Sequence, residues 1–168
     1  MLTSPPSLMD YLGKKIDQLC PFSLGKDDSK NHCAHFVSHV MEYEFAETCK
    51  NYSLADKQAT GKGAAIRVNN IFNIAPEVGP WTERPLGLRS CLIFVTISRN
   101  MRRCGHVLAM DNDKKKHIGI FLDGVVWHYS NTRDGIVKDQ EKLFINKFKH
   151  NYITAGQTVE FFYGRFLK

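Results

Sequence analysis

The sequence predicts an α+β domain in which N-terminal helices pack on an antiparallel β-sheet. Three observations carry that expectation. The first part of the chain spaces its apolar residues for helices, most visibly in "KNHCAHFVSHVM" at 30–41. From Cys91 onward, short β-branched and aromatic runs are separated by turn signals. The chain has 168 residues, 43% apolar and 24% charged, within the range of one soluble globular unit with a core of its own.

Taken in order, "TSPPS" is a short leader and a helix is expected over 8–18. "PFSLGKDDSKN" is a loop of turn and capping residues that delivers the chain into a second helix, expected over 31–45. A mostly polar stretch follows over 51–89. It contains a short helix within "GKGAAIRVNNIFNIA" and a Pro/Gly-punctuated loop, "PEVGPWTERPLG". Strands are expected at 91–97, 106–110, 117–122, 125–129 and 159–164, with a helix in "DQEKLFINKFKHNY" before the last of them. No repeat or long linker divides the chain, so 1–168 reads as a single catalytic domain.

The composition narrows the function classes. No apolar run is long enough to span a bilayer. The first residues lack the basic and apolar blocks of a secretory signal. Cys20, Cys33, Cys49, Cys91 and Cys104 make an odd, irregularly spaced set, which favours free thiols over a disulfide framework. A net charge of +6 favours a polyanionic partner: nucleic acid, anionic lipid or cell wall. "RNMRR" and "DNDKKK" read as solvated loops.

On a helix, Cys33, Phe36, Val37, Val40 and Met41 share one face, with Cys33 at its amino-terminal end. Asp27, Asp28, Ser29 and Asn31 are the available caps. A thiol there feels the unpaired amides and the positive end of the dipole, which favour thiolate and would receive an oxyanion. The plainer reading is a small core residue. His35 and His39 have the i,i+4 spacing of two metal ligands. No glutamate lies between them, no CxxC supplies further thiolates, and both fall on the flank of the apolar stripe. Neither metal nor cofactor is therefore expected.

"HIGIFLDGVVWHY" is a hairpin whose Asp123-Gly124 suits a type I′ turn. That turn pairs Leu122 with Val125, Phe121 with Val126, Ile120 with Trp127 and Gly119 with His128. His117 and His128 then share a face, diagonal to one another, with Gly119 leaving room for an imidazole. Trp127 and Tyr129 fall on the other face as core aromatics. If the helix bearing Cys33 packs on the histidine face, Cys33, His117 and His128 make a nucleophile, a base and an orienting group. His106 competes with His117 for the role of base.

Together, "NHCAHFVSHVM" and "HIGIFLDGVVWHYSN" resemble the NlpC-type cell-wall cysteine peptidases. The resemblance implies a papain-like fold and hydrolysis of amide bonds in peptidoglycan stem peptides or crosslinks. By it, Cys33 is the nucleophile, His117 the general base and acid, and His128 the third residue, with Asn131 as an alternative. The family's Asp before the cysteine and Ser-Gly after it are replaced here by His32 and Ala34-His35, and no tyrosine for the oxyanion site is apparent. A compact enzyme without an export signal is also similar to the peptidoglycan amidase effectors of the type VI secretion system. That implies an antibacterial toxin made in the bacterial cytoplasm, acting in the periplasm of a target cell and held by a cognate immunity protein. A phage lysin meets the same constraints. The competing classes are a basic, non-catalytic nucleic-acid-binding domain, for which no motif appears, a zinc-binding structural module, and a thiol hydrolase or acyltransferase acting on proteins.

Overall fold

The computed structural model describes residues 1–168. Four α-helices accompany eight strands: α1 (Cys33–Met41), α2 (Leu54–Gln58), α3 (Val68–Ile74) and α4 (Glu141–Asn151). The strands are β1 (Val78–Pro80), β2 (Ser90–Ile97), β3 (Met101–Cys104), β4 (Val107–Met110), β5 (Lys116–Leu122), β6 (Val125–Ser130), β7 (Gly135–Gln140) and β8 (Val159–Gly164). Six of them form an antiparallel sheet in the order β1-β8-β2-β5-β6-β7, and β3 with β4 makes a separate hairpin. The architecture is mixed α+β with a mostly antiparallel sheet, as the sequence predicts.

The details depart from expectation in several places. Instead of a helix over 8–18 there are two short 3₁₀ turns, Met9–Tyr11 and Ile16–Gln18. Gly13 separates them with φ 77° and donates its N–H to the Ile136 carbonyl, so a long-range bond displaces the helical one. The strand expected at 106–110 leaves the main sheet altogether. β7 was not anticipated: its outer half, Lys138-Asp139-Gln140, is polar because it lies at the sheet edge. Finally, the sheet is covered on both faces rather than one, with β8 threaded between β1 and β2.

Each face has its own core. On the first, α1 sets Phe36, Val37, Val40 and Met41 against Ile118, Ile120, Trp127 and Tyr129. Phe72 of α3 meets Phe94 and Phe162 edge-on there. On the second, Phe144 and Phe148 of α4 cover Cys91, Ile93, Val95, Phe121 and Val126.

The β5–β6 hairpin follows the turn chemistry. Asp123 and Gly124 both have positive φ, at 48° and 86°, as a type I′ turn requires. The ladder pairs Leu122 with Val125, Phe121 with Val126 and Ile120 with Trp127, and stops there. A Cβ at Gly119 would stand 2.7 Å from Val126 Cγ1 and 3.2 Å from His128 Cβ, so only glycine lets the two strands close beside His128.

Candidate active site

α1 begins where two asparagine side chains satisfy its free amides. Asn31 Oδ1 accepts the Cys33 N–H at 2.9 Å, and Asn131 Oδ1 accepts the His32 N–H at 3.1 Å. Of the expected caps, Asn31 is the one used; Asp27 instead bonds Ser29 and Tyr52. Asn131, the alternative third residue, is committed to this helix start.

Cys33 lies at the floor of a cleft of about 510 Å³, among Lys30, Asn31, Arg67 and Lys116. It is only 2% exposed. Burial pushes its thiol up to about 11, against the opposing pull of the Ile118 and Ala34 amides. The expected lowering by the helix start is thus present but outweighed by desolvation. At neutral pH the resting group is a thiol.

His117 and His128 face each other as the hairpin register requires, with His117 Nε2 3.0 Å from His128 Nδ1. The sequence reading stopped at this pair; β7 adds a third member. His128 Nε2 lies 2.9 Å from Asp139 Oδ2, which Lys147 Nζ also approaches at 3.3 Å. An ionised carboxylate only accepts, so neutral His128 carries its proton on Nε2 and offers Nδ1 as an acceptor. His117 then donates from Nε2, which leaves the Nδ1 lone pair free to take a proton. The sequence places Asp139 at the start of the helix expected in "DQEKLFINKFKHNY"; it lies instead in edge strand β7, and its role depends on that strand's pairing with β6.

Phe148 stacks on His117 with ring centroids 4.5 Å apart, and Phe144 meets His128 edge-on at 5.0 Å. This apolar cover holds His117 well below the usual histidine range, chiefly by burial and then by the His128 and Lys147 charges. Burial also lowers His128, although the Asp139 bond opposes it. Asp139 is itself held down to about 2, first by the His128 hydrogen bond.

A stability effect follows from these directions. As pH falls below 6.5 the unfolded chain protonates at positions 117 and 128 while the folded chain does not, so unfolding is favoured by the extra protons it binds. His32 and His35, also lowered by burial, act with the same sign. Melting temperature is therefore expected to fall as pH drops below 6.5, with a flatter slope in His117→Phe, read by calorimetry across that range.

The sequence-derived residues are brought together in part. His117 and His128 are in contact. α1, however, packs on the opposite face from the histidines, because its aliphatic stripe finds Ile118 and Ile120 while the histidine face is taken by the phenylalanines of α4. Cys33 Sγ makes no hydrogen bond to either imidazole. It lies in the same core as Ile118, the residue after His117, whose side chain is on the other face of β5. Tyr152, after α4, meets Phe148 edge-on at 5.3 Å, and its phenol is raised by burial and then by Cys33. His106 sits on the exposed turn between β3 and β4, away from all of these.

Comparison with family models, with curated proteins and with solved structures finds no match. Function must be read from the residues themselves.

A second group of reactive side chains lies beneath α1. His35 and His39 point their Nε2 atoms at each other, 3.1 Å apart, and Cys49 Sγ is 3.9 Å from His39 Nε2. Cys20 completes the group: one ligand atom from each of Cys20, His35, His39 and Cys49 lies within 4.8 Å of the others. His35, expected on an amphipathic flank, is fully buried. The chain around Cys20 and Cys49, outside the expected helices, lies against this side of α1.

Proposed function

We propose that the protein is a cysteine hydrolase that cleaves amide bonds of peptidoglycan stem peptides, with Cys33 as nucleophile and His117 as general base. The observation that carries this reading is the His117–His128–Asp139 relay ending in a free imidazole lone pair, on the strand against which the helix bearing Cys33 packs. A buried hydrogen-bonded chain that fixes a histidine tautomer is what a proton acceptor needs, whereas a packing role would be met by an apolar side chain.

In the proposed reaction, His117 Nδ1 takes the Cys33 proton as sulfur attacks the carbonyl carbon. In the resting structure Cys33 and the His117 ring lie on opposite faces of β5, so this step requires the strand to rearrange at residues 117–118 before the proton can pass. The oxyanion is received by the Ala34 amide in the first turn of α1, since Asn31 and Asn131 already occupy those of Cys33 and His32. His117 then gives its proton to the departing amine. Water, activated by the same nitrogen, attacks the thioester and restores the thiol. His128 and Asp139 are positioning residues that hold the tautomer of His117.

The cleft suits a carboxylate-bearing peptide. Lys30, Lys114 and Lys116 line it, while its one carboxylate, Glu47, is neutralised by the Arg67 guanidinium at 2.8 Å. An injected antibacterial effector with an immunity protein over this cleft is the biological setting that the resemblance suggests.

Digestion of purified sacculi, with products read by mass spectrometry, tests the reading. Wild type is expected to release new muropeptides and Cys33→Ala none. Inactive wild type on sacculi, or equal release by Cys33→Ala, refutes it.

A further inference from the structure

We propose that Cys20, His35, His39 and Cys49 form a structural site for one tetrahedrally coordinated zinc ion. Two sulfur and two imidazole donors are the set that zinc takes in closed, non-catalytic sites. The spacing fits. Zinc–nitrogen bonds of about 2.0–2.1 Å and zinc–sulfur bonds of about 2.3 Å imply tetrahedral edges of roughly 3.3 Å between nitrogens and 3.6 Å between nitrogen and sulfur. The corresponding separations here are 3.1 Å for His35–His39 and 3.9 Å for His39–Cys49.

The neighbouring groups orient these side chains toward a metal. His32 Nε2 lies 3.1 Å from the Asp27 carbonyl, which can only accept, so His32 carries its proton there. Its Nδ1 then accepts from His35 Nδ1 at 3.2 Å, which leaves the His35 Nε2 lone pair aimed at the centre of the group. The Ala64 N–H donates to Cys49 Sγ at 3.1 Å, the kind of bond that stabilises a metal-bound thiolate. Gly25 is close enough to Cys20 that a Cβ would stand 2.8 Å from Cys20 Cβ, so the loop is tightly folded around that ligand. A shallow pocket lined by Ser38, His39, Glu42, Lys62 and Gly63 leads to the one ligand that is not fully buried and gives the ion a way in.

The fold also has a need for such a clamp. The chain before α1 contains only 3₁₀ turns, which are too short to be stable alone. A metal held by Cys20, by two residues of α1 and by Cys49 ties that segment and the following loop to the helix that begins with Cys33. This assignment is independent of the hydrolase reading.

The test uses the intact protein, expressed and purified without added metal or chelator. Elemental analysis is expected to find one equivalent of zinc per chain. Exchange with cobalt is expected to give intense visible d–d absorption with a sulfur-to-cobalt charge-transfer band, the signature of a tetrahedral thiolate site. Cys33→Ala and Cys104→Ser should keep both signals; Cys20→Ser/Cys49→Ser and His39→Ala should lose them. Should those ligand variants fail to fold, zinc content and the cobalt spectrum of the wild type decide alone. Metal-free wild type that takes up neither ion after reduction overturns the proposal. So does a Cys20–Cys49 disulfide, seen as the loss of two hydrogens in the intact mass, or a cobalt spectrum without a sulfur band.

Discussion

His117→Ala is expected to lower muropeptide release by about 10²–10⁴-fold, the usual worth of a positioned general base. The side chain is 3% exposed and carries the free nitrogen of the relay, so no solvent group takes its place. Asp139→Ala acts through two rings and is expected to cost less in rate. It should also move the acid limb of the pH–rate profile to lower pH, because the Asp139 hydrogen bond and charge are what raise the basicity of His128 against burial. A merely structural Asp139 would change stability and leave that limb in place. Wild-type turnover in His117→Ala would remove the base from the mechanism and with it the assignment of the site.

The largest stability effect is expected at Phe144. Its ring is fully buried and meets His117, His128 and Phe148 at centroid distances of 6.1, 5.0 and 4.6 Å. Phe144→Ala removes most of that contact from a sealed site and is expected to cost about 3–5 kcal/mol. For a chain of this size that corresponds to a fall in melting temperature of roughly 6–20 °C. The opened space also admits water to the two imidazoles, so their pKa values should rise toward the ordinary range. Phe144→Leu, which fills more of the volume, should lose less than half as much. Thermal unfolding and histidine titration by NMR give both readouts, and a loss under about 1 kcal/mol would show that α4 is not the cover described here.

Much of the catalytic hypothesis was readable one dimension at a time. The hairpin register follows from Asp123-Gly124 and from side-chain alternation, both local, so the pairing of His117 with His128 needed no knowledge of the rest of the chain. The apolar stripe of α1 was likewise a matter of spacing. Asp139 escaped notice because an edge strand with one wet side lacks the apolar pattern by which strands are recognised. The 3₁₀ turns near the N-terminus were misread as helix because the bond that breaks it, from Gly13 to Ile136, joins segments more than a hundred residues apart.

The four-ligand cluster illustrates the same limit more sharply. His35-x-x-x-His39, with Cys20 and Cys33 before it and Cys49 after it, is the available signal. It was set aside for want of a CxxC pair, although the second and third segments came from loops whose approach no spacing could encode.

By itself, the sequence determined the α+β class, the turn and pairing of the central hairpin, a helix with Cys33 near its start, and the shared face of two histidines. Those features depend on torsions, periodicity and contacts between near neighbours. The tertiary structure alone decided which face of the sheet α1 would cover, that α4 would seal the histidines, that Asp139 would complete their chain, and that Cys20 and Cys49 would meet His35 and His39. These depend on which apolar surfaces bury best against each other across the whole molecule, a competition among distant segments that no single stretch of residues contains.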